Sequence, residues 1–421
     1  MEVRMTPLQG MDVRGKQVLL RLDINSPVNV KDKRIANDNR IQKSLPTLRY
    51  LLENGARTAI ISHQGDTLDY QNLIPLEEHA RILSRLLGTK VVYIDDVCGP
   101  AAREMVQGLK DGEMVLLGNL RYLGEELSTF EKDVKLKPEE MLGTWLIRSL
   151  APLFHLYVND AFSAAHRNAP SMTAFQEILP TAAGFLLFDE FKALHSVLHG
   201  ATKPCVFVLG GAKISDAFGM METVLKNGTA DGILTTGVTG LVMLLASGVD
   251  VGERTVEFFK DKDLMVFVDE ARKYLNEYPG KFEMPVDVAY EKEGKRMEMD
   301  VDQMPIDGLY PDIGERTIKK YAERLSAAGT IFANGPAGMY ENPLFEKGTR
   351  GVWEAIAESS AFSVIGGGDT VSSATQFIDL SRISYVCTGG GAMIRFMSGK
   401  KLPLIEAMQK AYDRVEGKNG L

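Results

Sequence analysis

Four apolar stretches in the C-terminal half of the chain run directly into glycines. They are VFVLGGAK (206–213), IFANGPAG (331–338), SVIGGGDT (363–370) and YVCTGGGA (385–392). Each stretch is typical of a buried parallel strand, and the glycine that follows lets main-chain N–H groups approach an anion closely. A helix that begins at such a turn adds about half a positive charge at its N-terminus. The four turns therefore predict a cleft that binds the phosphate groups of a nucleotide.

Charged and polar residues end the strands of the N-terminal half instead. The segments are LLRLDIN (19–25), IISHQG (60–65), VLLGNLR (115–121) and LYVNDAFSAAHR (156–167). Because ligands of an open α/β sheet bind at the carboxyl edge of its strands, these ends should converge on one cleft. Its predicted members are Arg21, Asp23, Asn25, His63, Arg121, Asn159, His166 and Arg167, with Arg40 reaching it from the start of a helix. Several arginines at equivalent strand ends indicate a guanidinium cluster for a small anion that carries phosphate and carboxylate groups.

The elements that must position these residues alternate between strand and helix patterns. This alternation predicts an α/β fold with two doubly wound parallel-sheet, Rossmann-like domains joined by an interdomain helix and hinge. An amphipathic helix is predicted from Arg40 to Glu53, and a small antiparallel hairpin over 286–301. The predicted strands are Gln17–Leu22, Thr58–Ser62, Lys90–Ile94, Met114–Leu117, His155–Val158, Cys205–Leu209, Gly232–Thr235, Met284–Val288, Thr330–Ala333, Phe362–Ile365 and Tyr385–Cys387.

At 421 residues the chain is too long for one core, which predicts two domains. We expect an N-terminal domain over 1–184 that binds the anionic substrate and a nucleotide-binding domain over 201–400. The helix pattern over 185–200 lies between them, and it fits an ordinary core helix as well as a helix that couples domain closure. The tail over 401–421 is expected to pack back on the N-terminal domain.

Composition and motifs exclude several classes of protein. The net charge of −8 argues against a general nucleic-acid binder, which needs a broad basic face. The sequence contains neither a secretory leader nor about 18 uninterrupted apolar residues, so a cytoplasmic protein without a membrane partner is expected. The three cysteines are isolated and predict buried, reduced thiols. There is no G-x-x-x-x-G-K-[ST] motif and no G-x-G-x-x-G motif, which argues against P-loop enzymes and dinucleotide-binding dehydrogenases.

The ordered series of strand ends resembles the phosphoglycerate kinase family from about residue 15 to residue 408. In the N-terminal half LLRLDINSPV, LGNLR and NDAFSAAHR resemble the substrate-binding signatures of the family. In the C-terminal half VLGGAKISD, ANGPAGMYE, VIGGGDT and TGGGA match its nucleotide half in order and spacing. A single glycine triplet would be weak support, whereas the whole series is specific. The segments SHQG and ANGPAGMYENPLFEKGT are most similar to those of archaeal members.

This resemblance implies reversible phosphoryl transfer between 1,3-bisphosphoglycerate with ADP and 3-phosphoglycerate with ATP, a step of glycolysis and gluconeogenesis that uses Mg²⁺. It implies a monomer or homodimer. The implied catalytic residues are Arg40, Lys213, Gly390 and Gly391. The implied substrate-binding residues are Asp23, Asn25, Arg40, His63, Gln64, Gly65, Arg121 and Arg167. The implied nucleotide-binding residues are Gly210, Gly211, Lys213, Asn334, Glu341, Gly367, Gly368, Asp369 and Thr370, with Asp369 holding Mg²⁺ through the nucleotide.

Two departures from the family pattern fall inside the implied site. Asp66 stands where the family usually has an arginine. The family also carries a second lysine within about two turns of the helix that follows Lys213, whereas here no lysine occurs before Lys226. We hypothesise that Arg395 supplies part of the missing positive charge. Three interpretations stay open at this point: an active phosphoglycerate kinase, a kinase of the same fold for another phosphorylated carboxylate, and a catalytically weakened ligand-binding homologue.

Overall fold

The structure is a computed structural model that describes residues 3–419, with side chains as far as residue 415. The chain divides into two compact units. Ala193–Lys400 forms the C-terminal unit, and the chain before and after it, up to Lys192 and from Lys401, forms the N-terminal unit. The division falls inside the helix Phe185–His199.

The N-terminal unit is built on a six-stranded parallel sheet. Its strands are β1 (Gln17–Leu22), β2 (Arg57–Ile61), β3 (Val91–Tyr93), β4 (Met114–Leu116), β5 (Leu156–Asp160) and β6 (Thr181–Ala183), in the order β3-β4-β2-β1-β5-β6. Leu20 and Leu22 of β1 pack into one apolar cluster, and Leu19 packs into a second. Because consecutive side chains of a strand point to opposite faces, both faces of this sheet are covered.

Helices of the N-terminal unit cover those two faces. They are α1 (Asn39–Lys43), α2 (Leu45–Glu53), α3 (Glu77–Leu87), α4 (Pro100–Gly108), α5 (Ser128–Val134), α6 (Trp145–Leu150), α7 (Pro170–Thr173) and the first part of α8 (Phe185–His199). The C-terminal unit repeats this arrangement of a parallel sheet covered by helices. The parallel sheet, its covering helices and its buried strands have the doubly wound design that the sequence predicts.

The C-terminal unit holds its own six-stranded parallel sheet. Its strands are β7 (Cys205–Leu209), β8 (Gly232–Thr235), β9 (Phe282–Glu283), β13 (Thr330–Asn334), β14 (Phe362–Gly366) and β15 (Tyr385–Cys387), in the order β15-β14-β13-β7-β8-β9. The helices are α9 (Ile214–Lys226), α10 (Gly237–Ala246), α11 (Glu253–Asp261), α12 (Met265–Glu277), α13 (Glu315–Ser326), α14 (Lys347–Glu358), α15 (Gly368–Phe377) and α16 (Gly390–Met397). A small antiparallel sheet of β10 (Asp287–Lys292), β11 (Lys295–Asp300) and β12 (Asp312–Ile313) completes this unit.

The last helix, α17 (Pro403–Asn419), belongs to the N-terminal unit and packs against α7 and β6. The amide of Leu404 donates to the carbonyl of Ala165 at 3.2 Å. Farther along the helix, Arg414 forms an ion pair with Glu177 at 2.9 Å. The N-terminal unit is therefore assembled from two segments separated by nearly half of the chain.

The predicted fold class is confirmed, and several of the sequence-based elements were wrong. The helix predicted from Arg40 to Glu53 is two helices, because the chain turns at Ser44, whose hydroxyl donates to the carbonyl of Ile41. No strand spans Met284–Val288, because the parallel strand ends at Glu283 and the hairpin strand begins at Asp287. Strand β6 was missed because Thr-Ala-Ala carries little apolar signal.

The cysteine prediction is confirmed, since Cys98, Cys205 and Cys387 are buried free thiols. Over the residues described, no helix is both long enough and apolar enough to cross a membrane.

Asp160, the last residue of β5, is buried at the start of α8. Its Oδ1 accepts a hydrogen bond from the amide of Leu187 at 3.0 Å. A Cβ added to Gly184 would lie 2.4 Å from this carboxyl group, so the packing leaves no room for a larger residue. Burial raises the pKa of Asp160 to about 7, and the hydrogen bonds from Leu187 and Thr47 offset that effect only in part. Helix α8 thus begins at a carboxyl group that changes its charge near neutral pH.

We expect Asp160→Asn to become stabilising relative to the wild-type chain as the pH rises from about 4 to about 7. In this window the folded chain keeps a proton on Asp160 that the unfolded chain releases, so ionisation favours unfolding as the pH rises. Asparagine does not titrate and still offers an oxygen to the Leu187 amide. Calorimetry across this range should show the Tm difference widening by roughly 5 °C.

The control for this series is Asp261→Asn, which removes an exposed carboxylate of α11. A difference in Tm between Asp160→Asn and the wild-type chain that does not change with pH would contradict the prediction.

Candidate active site

The carboxyl edge of the N-terminal sheet brings the predicted substrate residues together. Asp23 follows β1 and is nearly buried, and its Oδ2 lies 3.0 Å from Nη1 of Arg40 at the start of α1. The hydroxyl of Ser163 donates to the same oxygen. Burial raises the pKa of Asp23, but His63 and Arg40 outweigh it and bring the pKa down to about 2. Asp23 is therefore a fixed anion that orients Arg40.

His63 follows β2 and is buried beside Asp23 and Arg21. Its Nδ1 lies 3.0 Å from Nη2 of Arg21. A guanidinium group can only donate, so Nδ1 accepts, and a neutral ring carries its proton on Nε2. Burial and the charge of Arg21 hold the pKa of His63 well below its usual value, against the opposing effect of Asp23. At neutral pH the ring can thus offer an N–H to an anion without adding charge.

Arg121 and Arg167 each meet a carboxylate. Nη1 of Arg121 lies 3.3 Å from Oδ2 of Asp66 and donates to the carbonyl of Glu126. Nε of Arg167 donates to Oε2 of Glu131 at 2.6 Å. Burial and the nearby Arg167 lower the pKa of Arg121 to about 10, so its guanidinium keeps its charge at neutral pH.

The guanidinium cluster, which consists of Arg21, Arg40, Arg121 and Arg167, is therefore not a patch of uncompensated positive charge. The structure places Asp23, Asp66, Glu126 and Glu131 among the four arginines. The sequence predicted the arginines from their strand-end positions, but Glu126 and Glu131 lie in a 3₁₀ turn and in α5, where no strand pattern marks them. Their only sequence signal is their position five and ten residues after Arg121.

Asn25, Gln64 and Gly65 shape the loops of this edge. The Gln64 side chain accepts from the Ser26 amide at 2.8 Å and donates to the Ser26 carbonyl at 3.0 Å, so it ties the two loops together. Oδ1 of Asn25 accepts from the amide of Gly65 at 3.2 Å. The loops border a polar pocket of about 270 Å³, lined by Asn25, Ser26, Pro27, Arg40, Gln64, Asp69 and Asn72.

Two further predicted members of this edge differ in what they contact. Asn159 is fully buried, and its side chain donates to the Tyr157 hydroxyl at 2.7 Å and accepts from the Ala161 amide at 2.9 Å. It supports the strand end and does not face an open pocket. His166 is partly exposed in the segment before α7.

The glycine-ended strands of the C-terminal unit surround a second polar pocket of about 330 Å³, which we call the glycine pocket. Its lining residues are Gly210, Gly211, Ala212, Lys213, Asp216, Asn334, Gly335, Pro336, Gly367, Gly368, Asp369, Thr370, Gly390, Gly391 and Ile394. Helices α9, α15 and α16 all begin at this pocket. Three helix N-termini directed at one cavity favour a strongly anionic ligand.

At Gly335 the turn after β13 packs directly against the backbone of the turn after β7. The φ of Gly335 is +89°, and an added Cβ would lie 2.2 Å from the carbonyl oxygen of Gly210. Its amide donates to Oγ1 of Thr370 at 2.8 Å, and the side chain of Asn334 donates to the Gly366 carbonyl at 2.6 Å. Asn334 and Thr370 thus join the ends of neighbouring strands, and glycine is required where the two turns meet.

Lys213 is the cationic side chain among the residues that line the glycine pocket. Its side chain is 72% exposed, and Nζ lies 3.7 Å from Oδ2 of Asp369. Ala217, one turn farther along α9, is only 1% exposed and faces the core, so a longer side chain there would meet packed residues. Arg395 is exposed on α16 and is not among the lining residues. The helix N-termini are therefore the other source of positive potential at this pocket.

An apolar pocket of about 320 Å³ adjoins the glycine pocket and shares Gly211, Ala212, Pro336 and Asp369 with it. It is lined mainly by apolar and aromatic side chains, and Glu341 lies at its border. The other lining residues are Gly237, Val238, Leu241, Thr255, Phe258, Leu309, Tyr310, Pro311, Gly338, Met339 and Tyr340. Most of these lie on helices and loops that do not follow a glycine-ended strand, so sequence reasoning missed them.

Together the two pockets suit a nucleotide, with a flat base in the apolar pocket and phosphates in the glycine pocket. Asp369 offers an exposed carboxylate at their junction. A carboxylate next to bound phosphates is the donor set that Mg²⁺ prefers, because this ion is usually held by one or two carboxylates and by phosphate oxygens. Over the part of the chain that the structure describes, no cluster of three His, Cys, Asp or Glu side chains could hold a metal without such a ligand.

A buried ion pair supports the wall of the apolar pocket. Nη1 of Arg296, on β11, lies 2.8 Å from Oδ2 of Asp312 and donates to the Leu344 carbonyl at 3.1 Å. Asp312 is fully buried, and its Oδ2 accepts from the Gly348 amide at 2.7 Å. Asp312 directly follows three lining residues, 309–311, and the loop that leads to Leu344 carries the lining residues of 338–341. Arg296 therefore connects the hairpin to two sides of the pocket.

We expect Arg296→Met to weaken ATP binding by about tenfold while leaving the affinity for 3-phosphoglycerate unchanged. Removing the guanidinium leaves the buried Asp312 carboxylate without its counter-charge and the carbonyl oxygens of Leu344 and Ile313 without this donor, so the loop loses its fixed position. Calorimetric titration with each ligand measures the two affinities separately. The control is Arg316→Met, which removes an exposed partner of Asp300 on the same hairpin. Equal losses for both ligands would contradict this prediction.

Comparisons with known proteins agree over nearly the whole chain. The family model described as phosphoglycerate kinase matches residues 8–400. A phosphoglycerate kinase from Thermococcus onnurineus is 45% identical over 418 residues, with 98% of each chain covered. Another from Methanothermobacter thermautotrophicus is 41% identical over 404 residues, with 96% of each chain covered.

Solved structures give the same result. The crystal structure of phosphoglycerate kinase from Pyrococcus horikoshii is similar with a TM-score of 0.84 and 40% identity, and the match covers 97% of this chain and 100% of that one. The phosphoglycerate kinase of Coxiella burnetii is similar with a TM-score of 0.81 and 30% identity, covering 96% and 99% of the two chains.

Proposed function

The chain belongs to the phosphoglycerate kinase family, and on this basis we propose that it transfers a phosphoryl group reversibly between ATP and the carboxylate of 3-phosphoglycerate. The N-terminal unit binds 3-phosphoglycerate or 1,3-bisphosphoglycerate, and the C-terminal unit binds ATP or ADP. Helix α8, in which the division between the units falls, is assigned as the hinge segment.

The substrate is held by the guanidinium cluster and its neighbours. Asp23 and Asn25 orient the glycerate part, and Arg40 meets its reacting carboxylate. His63, Arg121 and Arg167 bind the phosphate, with the neutral imidazole donating through Nε2. Because a carboxylate with a pKa of about 3 to 4 is ionised at neutral pH, no general base is needed to create the nucleophile. Alignment and compensation of charge supply the catalysis.

The nucleotide lies across the apolar and glycine pockets, with its base against aliphatic and aromatic side chains. Glu341 takes the ribose. Lys213 and the backbone amides of Gly390 and Gly391 stabilise the charge of the phosphoryl group during transfer. This assignment is supported by the beginning of α16 at the same pocket as Lys213. The remaining members of the site hold the phosphates, namely Gly210, Gly211, Gly367, Gly368 and Thr370.

Asp369 would hold Mg²⁺ through the phosphates of the nucleotide. The ion neutralises phosphate charge when it is bound. Nζ of Lys213 lies 3.7 Å from Oδ2 of the same carboxylate.

One observation carries this proposal, namely that a single chain combines two kinds of site. An anion site with arginines lies at the edge of the N-terminal sheet, and the glycine pocket lies beside the apolar pocket at the edge of the C-terminal sheet. The test is an assay that couples ADP formation from ATP to 3-phosphoglycerate, run with glycerate, 2-phosphoglycerate and other phosphorylated carboxylic acids as alternatives. Activity that is highest with 3-phosphoglycerate supports the proposal. A preference for another acid would favour the second interpretation of the sequence, and binding of both ligands without turnover would favour the third.

A further inference from the structure

Asp66 is connected to two arginines of the guanidinium cluster, to one directly and to the other through a serine. Its Oδ2 lies 3.3 Å from Nη1 of Arg121 and accepts from the hydroxyl of Ser128. The same hydroxyl oxygen accepts from Nη2 of Arg167 at 2.9 Å. One carboxylate oxygen therefore connects to both guanidinium groups, directly to Arg121 and through Ser128 to Arg167.

This set of donors is one that binds oxyanions. A guanidinium group and a hydroxyl directed at one oxygen, with a second guanidinium group bound to that hydroxyl, are donors suited to a phosphate. A phosphate group brings up to two negative charges and three acceptor oxygens, and it needs the same N–H and O–H groups that now hold Asp66. The carboxylate and the phosphate cannot occupy these donors together without strong repulsion.

The position of Asp66 in the chain lets it withdraw. It follows Gly65, whose φ is +68°, and it starts a surface loop that reaches the exposed side chains of Leu68 and Tyr70. Its other oxygen, Oδ1, accepts from the amide of the adjacent Thr67 at 2.7 Å, a contact that travels with the loop. The side chain is already 17% exposed, so a small rotation moves the carboxylate toward solvent.

We propose that Asp66 is a built-in competitor of the substrate's phosphate group, an inference that rests on the proposed function. Asp66 pairs with Arg121 and accepts from Ser128, and the phosphate displaces it from these donors on binding. A ligand with one charge and two oxygens gains little by this exchange, whereas a phosphate dianion gains more. Asp66 therefore lowers the overall affinity of the site and sharpens its selection for phosphorylated acids.

The test compares Asp66→Asn with the wild-type chain. We expect the KM for 3-phosphoglycerate and its Kd by calorimetry to fall by about tenfold, because the competing charge is gone. Asp66→Ala should reproduce the result without the new amide donor. Asp133→Asn, on the exposed side of α5, is the control for loss of one negative charge and should leave both constants unchanged. An unchanged or larger Kd in both Asp66 variants would overturn the proposal and make Asp66 a positioning residue.

A second arm separates this inference from the proposed function. Inorganic phosphate is titrated into the wild-type chain and into Asp66→Asn without nucleotide, so no turnover is required. Tighter phosphate binding by the variant supports the competitor even if the coupled assay shows no activity with 3-phosphoglycerate, which would contradict only the proposed function. Equal phosphate binding by the two proteins would overturn the proposal that Asp66 competes with phosphate.

Discussion

Replacing Lys213 by methionine is expected to lower kcat by 10² to 10³-fold, because one preorganised positive group at a developing charge contributes about 3–4 kcal/mol to the transition state. Lys213 stands at the start of α9 and is the cationic side chain among the residues that line the glycine pocket. The position one turn later on α9 holds the buried Ala217, so this turn of the helix carries no second lysine. The helix N-termini remain in the variant and account for the activity that is left.

Steady-state kinetics with both substrates measure this effect. We expect kcat to fall by a larger factor than the KM for ATP rises, because the contact of Lys213 with the phosphoryl group strengthens as negative charge develops during transfer. The matched control is Lys226→Met at the other end of α9, which removes only an exposed partner of Glu222. Lys213→Arg should recover part of the activity. A kcat within threefold of the wild-type value for Lys213→Met would show that the lysine does not act in the transition state.

Replacing Gly335 by alanine is expected to raise the KM for ATP by at least about 100-fold, or to abolish ATP binding. The added Cβ would lie 2.2 Å from the carbonyl oxygen of Gly210 and 2.8 Å from the amide nitrogen of Gly211. Both are backbone atoms of the glycine pocket, so the clash can only be relieved by moving the turn that holds the phosphates. The φ of +89° adds strain for any residue with a side chain.

The same variant should still bind 3-phosphoglycerate, because the residues proposed to bind this substrate belong to the N-terminal unit. Calorimetry with each ligand therefore gives a paired readout. Gly108→Ala, at the end of α4, is the control, since no atom lies within 4 Å of its added Cβ. If Gly335→Ala bound ATP with normal affinity, the glycine pocket would not be the phosphate site.

The sequence predicted the parts of the site that follow strands. Apolar runs that end in glycine or in charged residues place a side chain at a sheet edge without any knowledge of the loops, and Asp23, His63 and Arg121 were predicted in this way. A strand pattern has a short period and a definite end, so such residues can be located from local sequence alone.

The remaining parts depend on how loops and helices fold back. Glu131 reaches Arg167 because α5 lies beside the segment before α7, and the sequence of α5 does not encode this neighbour. Phe258 and Leu241 are recognisable as apolar residues of α11 and α10, but the sequence does not show that they line a cavity. The pairing of Arg40, Arg121 and Arg167 with carboxylates was missed for the same reason.

The position of α17 has a consequence for the order in which the protein can fold during synthesis. Residues from 403 onward pack on α7 and β6, yet they leave the ribosome only after all of Ala193–Lys400 has been made. The C-terminal unit contains no segment made after Lys400, while the first unit to be translated still lacks its last helix at that point. A chain truncated after Lys400 should accordingly resist protease over β7–β15 and remain open to cleavage around β6 and α7.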